Sequence, residues 1–271
     1  MEMKLQRNDF AKRLKSMLHV DFRRMFTMSL FYIMVGIAFV VPILILVMTT
    51  MMDGTTSTDP NGNVTTIEAF DNVWQIIGTV SVSGGENTEA AMGMDMMAMC
   101  NINLVYFAVA VFVCLFVSED FRSGYAKNLF TVRAKKTDYV ISKTAVCFVC
   151  GVSMILAFFI GAMLGGGISQ LSFDSGAVGA GEIVMCMLSK LLLVAVFVPI
   201  FLTMGVVAKQ RSWLSILLSL GVGMLLFMMI PMMTPLNATI MNAVLCFAGG
   251  AMFSVGLGTV SNLVLNKTSL V

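Results

Sequence analysis

Long apolar runs separated by short polar islands set the pattern of this chain. A hydrocarbon layer about 30 Å thick takes about 20 residues of helix, so apolar windows of about 18 or more read as membrane-spanning helices. Six windows meet that length, at 28–50, 98–117, 144–168, 183–207, 213–230 and 238–265. The first is too long for a removable signal peptide, and no small-residue cleavage site follows Thr50. The expected fold is an all-α membrane protein with six transmembrane helices, forming a single transmembrane domain over residues 1–271.

Ahead of the first window, Phe10, Leu14, Met17, Leu18, Phe22 and Met25 recur near helical spacing, with Lys12, Arg13, Lys15, Arg23 and Arg24 between them. Residues 8–26 are therefore expected to form an amphipathic helix in the membrane interface. Its apolar side would enter the acyl chains and its basic side would meet anionic headgroups. Phe10, Leu14, Arg23 and Arg24 are its expected anchors, and membrane lipid is its partner.

Charge placement orients the bundle. The chain is 58% hydrophobic and 12% charged, and its net charge of only +2 hides a strong asymmetry. Seven of the 17 Lys and Arg residues precede the first window and six lie between the second and third. Lys209, Arg211 and Lys267 fall on the same side, whereas the alternate loops carry acids from Asp53 to Glu182 and no base. The positive-inside rule then puts both termini in the cytoplasm and loop 53–97 outside. His19 is the only histidine, which excludes a multi-histidine metal site or a histidine relay within the chain.

In the outer loop, Asp59-Pro60-Asn61-Gly62 is a turn signal. Thr65-x-x-Glu68 has capping-box spacing, and Ile67, Phe70, Trp74 and Ile77 would share one helical face. A short surface helix is expected, with Trp74 as an interfacial anchor and Ser83-Gly84-Gly85 as its end. Met92, Met94, Met96, Met97, Met99 and Cys100 are soft groups suited to Cu(I). The chain holds 26 Met, however, and flexible apolar residues entering a span account for the stretch. Cys147-x-x-Cys150 has redox or zinc spacing without the βαβ context or second ligand pair, so it reads as packing. No metal and no catalytic residue is expected.

Two further features concern movement. Pro231 to Pro235 would turn the chain sharply between the fifth and sixth windows. Gly165-Gly166-Gly167, Gly249-Gly250, Gly256 and Gly258 would let helices pack closely and bend locally. Lys190 lies about two turns inside the fourth window, where a charge costs about 2.5–3.5 kcal/mol at the bilayer centre. It is expected to reach outward toward Glu182 or Asp174, with a place on a translocation path as the second reading.

The cytoplasmic island at 118–143 is the most informative segment. Glu119 and Asp120 suit a helix N-terminus. Phe121, Tyr125, Leu129 and Phe130 would make an apolar patch rimmed by Arg122, Lys127, Asn128 and Arg133, with Gly124 as a break. Aromatic anchors rimmed by charge fit docking into another protein's groove. The run Glu119-Asp120-Phe121, Gly124, Lys127-Asn128-Leu129, then Arg133, Tyr139 and Ser142-Lys143, resembles the permease subunits of type-2 ABC transporters. The resemblance implies a coupling loop at 118–143 that meets a separate ATPase through Glu119, Asp120, Phe121, Arg122, Gly124, Tyr125, Lys127, Asn128 and Arg133. It also implies a working unit of two permeases, identical or paralogous, and two ATPase subunits in a bacterial cell membrane.

ATP and Mg would bind the partner, because this chain has no G-x-x-x-x-G-K-[ST] sequence. The chain would bind no cofactor itself and would not be an enzyme, and no nucleic acid partner is expected. The implied function is ATP-driven export of an amphipathic or hydrophobic substrate, such as a peptide or bacteriocin, a drug or a lipid. The alternative is an ATP-independent secondary transporter or channel, which would need ionisable groups at mid-membrane and offers Lys190 alone.

Overall fold

The computed structural model describes residues 2–58, 64–66, 70–79, 101–132, 135–174, 178–227 and 229–267. Helix α1 (Glu2–Thr27) leads into α2 (Ser29–Met51). Two short strands, β1 (Thr56–Thr58) and β2 (Val64–Thr66), pair antiparallel. Helix α3 (Val105–Arg122) is followed by the short α4 (Tyr125–Val132), then by α5 (Lys136–Ile168) and α6 (Ala180–Ala208). The chain closes with α7 (Ser212–Phe227), the single turn α8 (Ile230–Met233) and α9 (Ile240–Lys267).

Among the described residues, five stretches are long and apolar enough to cross a membrane: Ser29–Met51, Ile102–Arg122, Lys136–Ile168, Ala180–Ala208 and Ile240–Lys267. The sixth expected span is the shorter apolar helix α7, of 16 residues. At 1.5 Å per residue it extends about 24 Å, less than the hydrocarbon layer. Conversely, α5 runs 33 residues, about 50 Å. Its first two turns, Lys136 to Lys143, extend the apolar window expected from residue 144.

Glycine fixes how the long helices meet. Gly161 and Gly165 lie one turn apart on α5 against α2. A Cβ on Gly161 would collide with the Phe39 carbonyl oxygen, and one on Gly165 would lie 2.9 Å from the Ile43 Cα. The Gly250 position on α9 is similarly close to α6, 2.8 Å from the Ala195 Cβ. Small residues allow such approach, and dispersion contacts then hold the helices together. Within the glycine run ending α5, Gly165 and Gly166 serve packing, and the helix continues unbroken to Ile168. Pro199 lies inside α6 and leaves the Ala195 carbonyl without its helical donor. Ser254 Oγ of α9 donates to that carbonyl at 3.4 Å, so the break is used to join two helices.

The outer-loop expectations need correction where they are described. Thr65 is not in a helix cap; it pairs with Ser57 in the strand ladder. The turn signal at 59–62 falls between the strands, and those residues, with Ile67 and Glu68, lie outside the described ones. Among the described residues, the place of the expected surface helix holds a 3-10 turn at Val73–Ile76, capped by the Asn72 side chain. Trp74 is half-buried there and its indole Nε1 donates to the Phe173 carbonyl at 2.9 Å. It therefore clamps the 3-10 turn to the segment that follows α5. Trp74→Phe removes that bond and is expected to lower stability by about 1 kcal/mol, read as a small fall in Tm in detergent. Met92 to Cys100 lie outside the described residues.

Candidate functional site

Where α1, α3, α4 and α5 meet, the structure buries a group of charges. It begins with sequence spacing on α1. Met17, Asp21 and Met25 follow at intervals of four, so all three face the bundle, and all three are buried. A carboxylate on that apolar stripe must find a cation or be protonated. Lys143 of α5 supplies it: Nζ lies 2.9 Å from Asp21 Oδ1 and 2.7 Å from Asp120 Oδ2, with both ends of each pair fully buried. Neither contact is aligned as a hydrogen bond, so the attraction is that of charges in contact.

Other groups complete the arrangement. Arg24 donates to Asp120 Oδ1 at 2.6 Å, Tyr139 OH donates to Asp120 Oδ2 at 2.9 Å, and Ser142 Oγ donates to Asp21 Oδ2 at 2.6 Å. Two carboxylates thus face two cations, and the cluster is neutral as a whole. Aromatic faces line it, with Lys143 Nζ 4.0 Å from the Phe116 ring centre and the Arg24 guanidinium 4.1 Å from that of Tyr125. Cations over ring faces gain further electrostatic attraction when desolvated. Burial works to lower the Arg24 pKa, but the charge and hydrogen bond of Asp120 outweigh it and hold Arg24 above its ordinary value. Tyr125 is pushed up, by burial first and then by the Asp21 charge. One turn away, Arg13 Nε donates to Asp138 Oδ2 at 3.1 Å and adds a second tie between α1 and α5.

This geometry redistributes the residues expected from sequence. Glu119 and Asp120 stand in the last turn of α3, not at a helix start. Carboxylates are unfavourable at that end of the helix dipole, and Arg24 and Lys143 compensate Asp120. Asp120 and Phe121 are buried and so present nothing to a partner's surface. Glu119, Arg122, Lys127 and Asn128 are exposed, while Gly124 and Tyr125 are half-buried. Gly124 has φ +75°, a left-handed conformation that lets the chain turn from α3 into α4. Arg133 lies outside the described residues.

Among the expected interfacial anchors, Arg23 is exposed and Phe10 and Leu14 are half-buried. Arg24 is half-buried and turned inward to Asp120, where it acts as an internal strut. Exposed Lys12, Lys15, His19 and Arg23 share the outer face of α1. Lys190 also departs from expectation. Its Nζ lies 3.0 Å from both Asn103 Oδ1 and Thr234 Oγ1, fully buried. Glu182, its expected partner, accepts instead from the Gly179 backbone N–H at 3.1 Å.

Sequence reasoning missed Asp21 and Asp138. The available signal was a carboxylate at helical spacing between Met17 and Met25 in an otherwise apolar stripe.

No curated protein and no solved structure matches the chain. A family model described as "ABC-2 family transporter protein" matches residues 27–226, from the start of α2 to the end of α7 and including the whole of α4. With its apolar helices, the chain is a multi-pass membrane protein. It belongs to the ABC-2 transporter family, as a permease subunit of the type-2 class.

Proposed function

We propose that this permease forms the membrane path of an ATP-driven exporter in a bacterial cell membrane, with both termini cytoplasmic and α7 with α8 completing a sixth span. It moves an amphipathic or hydrophobic substrate, such as a peptide, drug or lipid, outward. A separate ATPase binds ATP and Mg and docks on the loop between α3 and α5. Two ATPase subunits and two permeases, identical or paralogous, make the working unit.

The observation that carries this reading is the division of labour at the loop. Glu119, Arg122, Lys127 and Asn128 face outward, while Asp120 beside them is locked to Arg24 and Lys143. A push on the exposed face is thus delivered through a buried ionic joint to α1, α3 and α5 together. Rigid, satisfied polar networks transmit displacement because they resist local deformation.

The test is co-purification of the chain with the P-loop ATPase encoded beside it. The pair is expected to associate, and the double charge reversal Glu119→Lys with Lys127→Glu should cut transport about tenfold or more while the permease stays folded. Exposed interfacial charges act mainly on recognition and on-rate, so the loss should be largest at low salt and shrink as added salt screens them. An ATPase that never associates, or reversal without effect on transport, defeats the reading.

A further inference from the structure

The charge cluster beside α4 balances itself, whereas Lys190 near the opposite end of the bundle does not. Its ammonium carries three donors. Two point to neutral oxygens, Asn103 Oδ1 and Thr234 Oγ1, each at 3.0 Å. Among the described residues no carboxylate forms an ion pair with it, and four such pairs occur elsewhere.

The surroundings are built to hold this group in place. Tyr106 OH donates to the Lys190 carbonyl at 2.8 Å, and the Asn103 backbone is fixed by the Asn101 side chain at 2.9 Å. The Thr234 hydroxyl donates to the Ile230 carbonyl at 2.9 Å, which leaves its lone pairs for the ammonium. Three segments therefore converge on one nitrogen: the 3-10 turn Ile102–Leu104 just ahead of α3, the third turn of α6 and the turn after α8. Neutral oxygens solvate a cation but do not neutralise it. In a low-dielectric interior an anionic oxygen would be held far more strongly than either of them.

We propose that Lys190 receives an anionic oxygen group of the cargo, a carboxylate or a phosphate, and that its bonds to Asn103 and Thr234 are the closed form of that site. The word cargo rests on the export reading above. The anion and Thr234 compete for the same ammonium, so its arrival frees the turn between α8 and α9. That turn is otherwise tied by Leu236 N to the Thr79 carbonyl at 2.9 Å and by Asn242 Nδ2 to the Met233 carbonyl at 3.1 Å.

The test uses the purified full chain in phosphatidylcholine nanodiscs. Equilibrium binding is measured for radiolabelled dodecyl phosphate, dodecanoate and dodecanol, which share a tail and differ in head. At least one anion is expected to bind saturably, and dodecanol about tenfold more weakly or worse. A phosphate preference assigns the site to lipid-like cargo, and a carboxylate preference to peptide or fatty-acid cargo. Lys190→Gln should weaken anion binding about tenfold or more and leave dodecanol unchanged, while Lys190→Arg retains anion binding. Thr234→Val removes the competitor and should tighten it. The opposite signs distinguish a binding role from a structural one.

Equal binding of dodecanol, or an unchanged anion affinity in Lys190→Gln, overturns the proposal. So does a loss in Thr234→Val parallel to that in Lys190→Gln. Should Lys190→Gln fail to give monodisperse protein, Lys190→Arg and Thr234→Val keep the charge and decide the matter, since anion binding lost in both overturns it. The assay contains no ATPase, so its failure leaves the docking result standing, and failure of docking leaves this result standing.

Discussion

Replacing Asp120 by asparagine is expected to destabilise the permease by about 3–5 kcal/mol, the range for removing one member of a buried ion pair. The cause is what remains. Lys143 would keep only Asp21, and Arg24 would lose its carboxylate, so one buried and one half-buried cation would share one anion. Asparagine can still accept from Tyr139, so the loss is one of charge more than of shape. The double variant Asp120→Asn with Lys143→Met should recover a large part, because it leaves Asp21 and Arg24 as a neutral set. Thermal unfolding of the wild type, both single variants and the double variant in detergent gives the coupling directly. A double variant no more stable than Asp120→Asn alone would mean that charge balance does not hold this joint.

A second large effect is expected at Gly161→Val. The first added carbon meets the Phe39 carbonyl oxygen and lies 2.9 Å from the Pro42 ring. The obstruction is backbone and a rigid ring, which cannot rotate away, so α2 must move off α5. Overpacking of this kind costs about 3 kcal/mol. Gly167→Ala, six residues on, is the control: a Cβ there meets nothing within 4 Å. Relieved of glycine's backbone entropy, that variant should be as stable as the parent or more so, by up to about 1 kcal/mol. Melting temperatures of the two variants in one detergent are expected to move apart. If both fall together, the close approach of α2 and α5 is not what the glycine provides.

Five of the six expected spans, and the loop between α3 and α5, were legible because lipid imposes length and apolarity on any segment that crosses it. What lay beyond reading was pairing across the chain. Asp21, Asp120 and Lys143 are far apart in sequence, and nothing local announces that they meet. The positive-inside rule counts Lys143 and Arg24 as loop charges, although both turn inward in the structure. Lys190 was misjudged for the same reason. A lysine that can extend outward usually does, unless oxygens from other helices are delivered to it, and here Asn103 and Thr234 are. The Thr65 cap failed because a strand partner at Ser57 took that residue first.

The order in which the chain is made gives the ionic joint a further meaning. Asp21 and Asp120 are both synthesised before Lys143, so for a time two carboxylates exist without the cation that joins them. During that interval the ionic tie between α1 and α3 is Arg24 with Asp120, while Asp21 lacks the lysine that pairs with it in the finished structure. When α5 enters the bundle, Lys143 bridges both carboxylates and Asp138 meets Arg13, which completes the seating of the leading helix. Closure of that end therefore waits for α5, and an unfinished chain, cut before α5, would hold its first helix ionically by the Arg24–Asp120 pair alone, with Asp21 left without its lysine.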